Sequence, residues 1–204
     1  MNNNLILAST VLVLRDLNNK LEVLMVRRSK KPPFQNLHVF PGGKIDHDDS
    51  IKELEAFTDG INDEIASNIL GIEDGGLSFW IASIRECFEE VGILLAQKKS
   101  GEKLDFISSE KTKYENYRKM LVKNEINLLE ICQKEDLVLS TVNIAPLSHW
   151  ITPNIETKRF DTRFFIAYLP ENQIVKHDEV ELTQSIWINP LDAIKKAYEG
   201  EMHM

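Results

Sequence analysis

Residues 85–92 read RECFEEVG, inside a run whose apolar residues Ile81, Ile84, Phe88, Val91 and Leu95 recur at steps of three and four. That period predicts one amphipathic helix over residues 80–95, with Gly92 near its C-terminal end. The stripe takes the core side. Glu86, Glu89 and Glu90 then project from a flank that still reaches solvent, with Arg85 one turn below Glu89. Like charges at these offsets repel and weaken a helix, so the cluster needs a reason. The simplest one is a solvated charged face, and two further features of the chain argue against stopping there.

The first is electrostatic. Three carboxylates this close raise one another's pKa unless cations neutralise them, and hard divalent ions such as Mg²⁺ take oxygen ligands of this type. The second lies upstream, where FPGGKID is followed by HDD. A Pro-Gly-Gly turn lets backbone approach a ligand closely, and the acids after it add oxygen donors. Together they describe a cradle for an ion and a phosphate.

The surroundings of this cradle are strand-like. Residues 5–28 hold two β-branched, leucine-rich runs separated by DLNNK, whose asparagines tolerate left-handed turn geometry, which predicts a β-hairpin. Residues 50–79 hold short helical pieces broken by Gly60, Gly71 and the Gly75-Gly76 pair, and residues 110–135 suit two surface-packed helices divided near Asn124. The last third returns to strand composition in STVNIAPLSHWITP, KRFDTRFFIAYLP and VELTQSIWINP, before a helix that opens after a proline. Alternation in KRFDTRFF puts Phe160, Thr162 and Phe164 on one face and Arg159, Asp161 and Arg163 on the other, with the arginines towards solvent. No repeat or low-complexity tract interrupts the 204 residues, so one α/β domain with helical insertions at about 50–79 and 97–140 is the expected organisation.

Composition narrows the partners. A formal net charge of -8 disfavours a mainly electrostatic grip on nucleic acid or anionic membrane, while leaving room for a small anion bridged by cations. The apolar start is short, alternating and without a basic flank, so neither a signal peptide nor a membrane span is expected, and GEMHM is no recognisable address. Two cysteines, Cys87 and Cys132, argue for a reducing cytoplasmic setting rather than a disulfide framework.

GGKIDHDD followed by RECFEEVGI resembles the Nudix box, whose pattern is G-x5-E-x7-R-E-U-x-E-E-x-G-U with U bulky and apolar. Arg85, Glu86, Cys87, Glu89, Glu90, Gly92 and Ile93 fill its second half without a gap. Counting from Gly43 puts the first acid at Asp49, and 35 residues rather than seven then separate it from Arg85, so the box is split by the 50–79 insertion. In the family that acid mainly holds the arginine. With RRSKKPPFQNLHVFPGG before it and HWITPNIETKRFDTRFFIAYLP far downstream, the split box is similar to the peroxisomal acyl-coenzyme A diphosphatase branch of Nudix proteins and its bacterial relatives.

The resemblance implies a Nudix fold, α/β, with a mixed β-sheet sandwiched between α-helices, and hydrolysis of a diphosphate bond with Mg²⁺ or Mn²⁺. It also implies roles: Glu86 and Glu90 as metal ligands, Glu89 as a third ligand or the group orienting water, Arg85 fixing the glutamates, and the Gly43 carbonyl reaching a metal. Nudix enzymes often recruit a further acid from a later loop, for which Glu181 is the best placed by analogy, although it reads equally as a surface glutamate on a strand edge. The implied partner is a small nucleotide substrate of the coenzyme A type, with no nucleic acid or membrane partner, and a homodimer is compatible.

A coenzyme A substrate carries a 3'-phosphate, which makes Arg27, Arg28 and Arg159 candidates to pair it, with His38 near the glycine loop as a further substrate contact. Phe34, Trp150 and Phe160 are candidates to stack adenine, although aromatics more often pack a core. Cys87, at the box's apolar position, reads as packing. His47, His149 and His177 show no metal-ligand spacing. Two other readings stay open at this point: the same chemistry on ADP-ribose, a dinucleotide or a nucleotide sugar, and a non-catalytic Nudix binding or regulatory module.

Overall fold

The computed structural model describes residues 5–29, 36–108, 110–177 and 182–204. The first two strands, β1 (Ile6–Leu17) and β2 (Lys20–Arg28), form the expected hairpin. Leu17 faces Lys20 across a two-residue turn in which Asn18 and Asn19 both have positive φ, 54° and 59°. That is the tight turn whose twist matches paired strands, and asparagine tolerates it better than most residues.

β1 organises the sheet. Its C-terminal half pairs with β2, while Ala8–Thr10 pair instead with β4 (Gly42–Lys44), and its other edge runs parallel to β8 (Phe160–Tyr168). β3 (His38–Val39) and β9 (Leu182–Ile188) pair with β2, and β7 (Ile144–Ile151) pairs with β8. The result is a seven-stranded mixed sheet. Alternation assigns its two faces. Val11, Val13, Leu24 and Val26 belong to the large core with Trp80, Ile84 and Phe88, whereas Leu14, Val23 and Met25 pack with Ala193 and Met202. One face therefore meets the glutamate helix and the other meets a helix near the C-terminus, α5 (Pro190–Tyr198), as expected of a sheet sandwiched between helices.

The glutamate helix, α2, runs Leu77–Val91 and not 80–95. Gly92, with φ 73°, ends it in the left-handed conformation, so Leu95 continues the stripe from outside the helix. The helix is also buried on nearly every side, and Glu90 with it, instead of presenting a free acidic flank. The insertions explain the difference. α1 (Asp63–Leu70) and α3 (Lys111–Val122) pack on α2, as do β4 and the turn that follows it. Ahead of α1 the chain makes two 3₁₀ turns, His47–Ser50 and Lys52–Phe57. The second insertion adds α4 (Leu128–Glu135) and a separate two-stranded sheet, β5 (Ala96–Lys98) with β6 (Leu137–Leu139), which composition did not reveal.

β8 alternates as expected but with its faces exchanged. Phe165 is fully buried against Trp80, and Arg163, on the same face, lies over the Phe79 ring and donates to the Leu70 carbonyl at 3.1 Å. The arginine side of this strand therefore faces the helices, not solvent. Phe160 and Phe164 lie half-buried on the opposite face.

Candidate active site

Arg85 is the hub. Its guanidinium makes a bidentate pair with Asp49, at 2.8 Å from Nε to Oδ1 and 2.9 Å from Nη2 to Oδ2. Nη2 also donates to the Lys44 carbonyl at 3.0 Å, and Nη1 reaches Glu86 at 3.0 Å and Glu89 at 3.3 Å. Arg85 and Asp49 are both buried. Burial works against the guanidinium's charge, but the Asp49 hydrogen bonds and the charges of Glu86 and Glu89 outweigh it and hold Arg85 protonated far above its usual range. The 3₁₀ turn at His47–Ser50 presents Asp49, and the Asp46 backbone N–H donates to Asp49 Oδ2 at 2.8 Å. A split box thus closes in space: residues 36 apart in sequence meet because β4 and the following turn pack beside α2.

The glycines expected in a tight turn are instead the first two residues of β4, paired with β1, and that strand lies against the other glutamates. The Gly42 N–H donates to Glu90 Oε2 at 3.0 Å, and a Cβ on Gly43 would overlap the Glu86 carboxylate. Only glycine fits there. Arg28 Nη1 lies 3.9 Å from Glu90 Oε1. Burial pushes the Glu86 carboxyl up to about 7, against the lowering effect of Arg85 and with help from Glu89, and burial also raises Glu89. Among the described residues, Asp49, Glu86 and Glu89 all hydrogen-bond to one guanidinium, that of Arg85.

Among the described residues no three acidic, cysteine or histidine side chains converge as a set ready to hold a metal ion. The donors nevertheless suit a hard divalent cation in kind. They are all oxygens, and the Glu86 carboxylate fills the space at Gly43 that any other residue would occupy. Glu86, Glu89 and Glu90 are the residues that would hold such an ion.

The remaining candidates are scattered. Alternation along β2 turns Arg28 towards α2 with Val26, and Arg27 towards α5 with Met25. His38 sits opposite Arg27, and its backbone N–H donates to the His203 carbonyl. Neither Arg27 nor His38 therefore shares the glutamates' face. Arg159 donates to the Thr152 carbonyl at 2.9 Å, beyond the β8 end that pairs with Ile6, whereas β4 lies on the opposite edge of β1. Trp150 is 70% exposed on β7 and packs edge-on to Phe164. His149 pairs with Asp161, His177 meets Ser185, and His47 is exposed. Cys87 is fully buried, and burial raises its thiol well above the ordinary range, as suits packing. Glu181 and Phe34 lie outside the described residues. The Gly42 N–H and the Lys44 carbonyl are site groups that side-chain reasoning missed, because backbone atoms leave no residue-type signal.

The description NUDT19 Nudix domain matches residues 62–204, which hold the whole RECFEEVG segment and more than two thirds of the chain. The chain belongs to this Nudix family. The acyl-coenzyme A diphosphatase NUDT19 of Xenopus laevis is 26% identical over 206 residues, 85% of this chain and 54% of that protein. The putative nudix hydrolase 7 of Caenorhabditis elegans is 26% identical over 183 residues, 88% of this chain and 50% of its own. The Nudix chain thus spans about half the length of these curated relatives. A NUDIX hydrolase from Alicyclobacillus acidocaldarius superposes with a TM-score of 0.78 at 24% identity, over 98% of this chain and 86% of that one, a likeness of fold. No described helix is long and apolar enough to cross a membrane.

Proposed function

We propose that this Nudix domain hydrolyses the diphosphate bond of coenzyme A or a short acyl-coenzyme A, giving adenosine 3',5'-bisphosphate and the (acyl-)4'-phosphopantetheine. The observation that carries the reading is the closed box, in which Asp49 locks Arg85 and Arg85 aligns Glu86 and Glu89, beside Glu90 on the Gly42 N–H. The similarity to proteins named acyl-coenzyme A diphosphatase supplies the substrate class.

Water attacks one phosphorus, the bond from that phosphorus to the bridging oxygen breaks, and the bridging oxygen leaves on the other phosphate with one proton released. A bound Mg²⁺ or Mn²⁺ supplies charge neutralisation on the diphosphate oxygens and a lowered pKa for water. The chain does the positioning. Glu89, the most exposed of the three acids that Arg85 hydrogen-bonds, would orient water, while Glu86 and Glu90 present oxygens to the two glycines of β4. Arg28, facing the same space, is placed to meet a diphosphate oxygen.

The test is product chromatography with Mg²⁺ or Mn²⁺ on coenzyme A, a short acyl-coenzyme A, ADP-ribose, a dinucleotide and a nucleotide sugar. Adenosine 3',5'-bisphosphate formed at the highest kcat/KM is the expected result. Preference for ADP-ribose would keep the chemistry and refute the substrate, and no turnover with any of them would point to a binding module.

A further inference from the structure

Every helix leaves four N–H groups at its start and four carbonyls at its end without partners inside it. In α2 the carbonyls can be followed one by one. Phe88 O accepts from the Gly92 N–H at 3.0 Å and Val91 O from the Lys176 N–H at 2.9 Å. The two between them, on Glu89 and Glu90, accept from one side chain: Arg118 of α3 donates through Nε to Glu89 O and through Nη2 to Glu90 O, both at 2.9 Å. Its third nitrogen, Nη1, donates to Lys176 O at 2.7 Å. One guanidinium thus takes the backbone of both glutamates and ties it to the segment 170–177. That segment is pinned to the same place by Gln173, whose buried side-chain amide exchanges two 2.9 Å hydrogen bonds with the Leu94 backbone.

The other end is held in the complementary sense. Asp63 of α1 accepts from the N–H groups of Gly75 at 3.0 Å and Leu77 at 2.9 Å, and Ser67 accepts from Gly76 at 2.9 Å. An anion at the helix start and a cation at its end both match the helix dipole, and each comes from one of the two insertions. The ends differ in what they control. Asp63 lies more than two turns before Glu86, whereas Arg118 grips the peptides that carry Glu89 and Glu90.

We propose that the two insertions clamp the glutamate helix at its ends, and that Arg118 is a positioning residue for Glu89 and Glu90. Without it two adjacent carbonyls lose the bonds that Arg118 donates, the last turn loosens, and the carboxylates drift from the β4 glycines that Glu90 touches. Small misplacements of a reacting group cost about tenfold to a hundredfold in rate. The activity readout rests on the diphosphatase reading above, and metal binding supplies a second one.

The experiment compares Arg118→Ala, Arg118→Lys, Asp63→Asn and Lys176→Ala with the unaltered chain. It measures kcat and KM on whichever diphosphate substrate that chain cleaves, Mn²⁺ affinity by calorimetry, and thermal melting. Arg118→Ala should melt cooperatively, lose about tenfold or more in kcat with KM little changed, and bind Mn²⁺ more weakly. Methylguanidinium added at sub-denaturing concentration should restore part of the rate. Arg118→Lys should fall between, because an ammonium lacks the planar fork that reaches three carbonyls. Asp63→Asn should lower the melting temperature without the kcat loss, and Lys176→Ala, which removes only an exposed pair with Glu115 and keeps the Lys176 carbonyl, should change neither. If Arg118→Ala does not fold, Arg118→Lys decides. Wild-type kcat and Mn²⁺ affinity in a folded Arg118 variant would overturn the clamp. An unaltered chain that neither binds Mn²⁺ nor cleaves any diphosphate would overturn the functional reading instead.

Discussion

Glu90 is the acid whose surroundings separate fold from chemistry most cleanly. One of its oxygens accepts from the Gly42 N–H, a bond that a glutamine oxygen can also accept, and the other faces Arg28. Glu90→Gln should therefore keep its melting temperature within a few degrees and lose roughly a hundredfold or more in kcat. A folded variant with a near-normal rate would place the chemistry elsewhere. Asp49 should behave in the opposite way, because its work is to neutralise a buried guanidinium. Removing one member of a buried pair strands the other, so Asp49→Ala should cost about 3–5 kcal/mol by urea unfolding, a loss larger than most single substitutions produce. Counting from Gly43 reaches Asp49 in the sequence. That it touches Arg85 across the inserted segment rests on the packing of β4 and the 3₁₀ turn against α2, which a count cannot supply.

α2 shows what a periodic pattern contains and what it omits. Its spacing announces a helix and separates an apolar stripe from the acids, yet the stripe reaches Leu95 while the helix stops at Val91, because Gly92 turns left-handed. Nor does spacing show that β4, the 3₁₀ turn and α3 close on the flank that looked free, since these segments lie far from it in sequence. The hairpin was legible in detail for the reverse reason: its turn is fixed by two neighbouring asparagines and needs nothing distant. Gly92 combines the local and the distant causes. Its φ of 73° disfavours any Cβ, and a Cβ there would lie 3.2 Å from Arg118 Nη1. Gly92→Ala should lose about 1–2 kcal/mol from backbone strain alone, read as a lower urea midpoint at unchanged slope. The same variant should also lower kcat, since relief of the crowding displaces Arg118; an unchanged kcat would mean the last turn absorbs the methyl without moving the acids.

At the scale of the whole molecule the sheet is a partition. Arg27 and Arg28 are adjacent in sequence and equally cationic, and residue type gives no ground for choosing between them. Strand alternation sends them to opposite faces, but which face belongs to the glutamates is decided by where α2 and α5 dock, and that emerges only when the core is assembled. A divalent ion binding the native site should stabilise the assembled state, by about 2.7 kcal/mol at a hundred times its Kd, so melting with Mn²⁺ should move upward by several degrees. No shift at saturating Mn²⁺, with activity persisting in excess chelator, would remove the ion from the account. The partition makes a sharper claim about the substrate. Arg28, 3.9 Å from Glu90, should meet the scissile diphosphate, so Arg28→Ala forfeits a charge-assisted contact of roughly 1.5–3 kcal/mol, about tenfold or more in kcat/KM. Arg27, on the face of β2 that Val23 and Met25 share, should lose little on the same substitution. A contact from Arg28 to the diphosphate predicts an equal loss on coenzyme A and on the dephospho form. Kinetics on both substrates with both variants test this directly, and a loss confined to coenzyme A would show Arg28 reading the 3'-phosphate, with the diphosphate held by other groups.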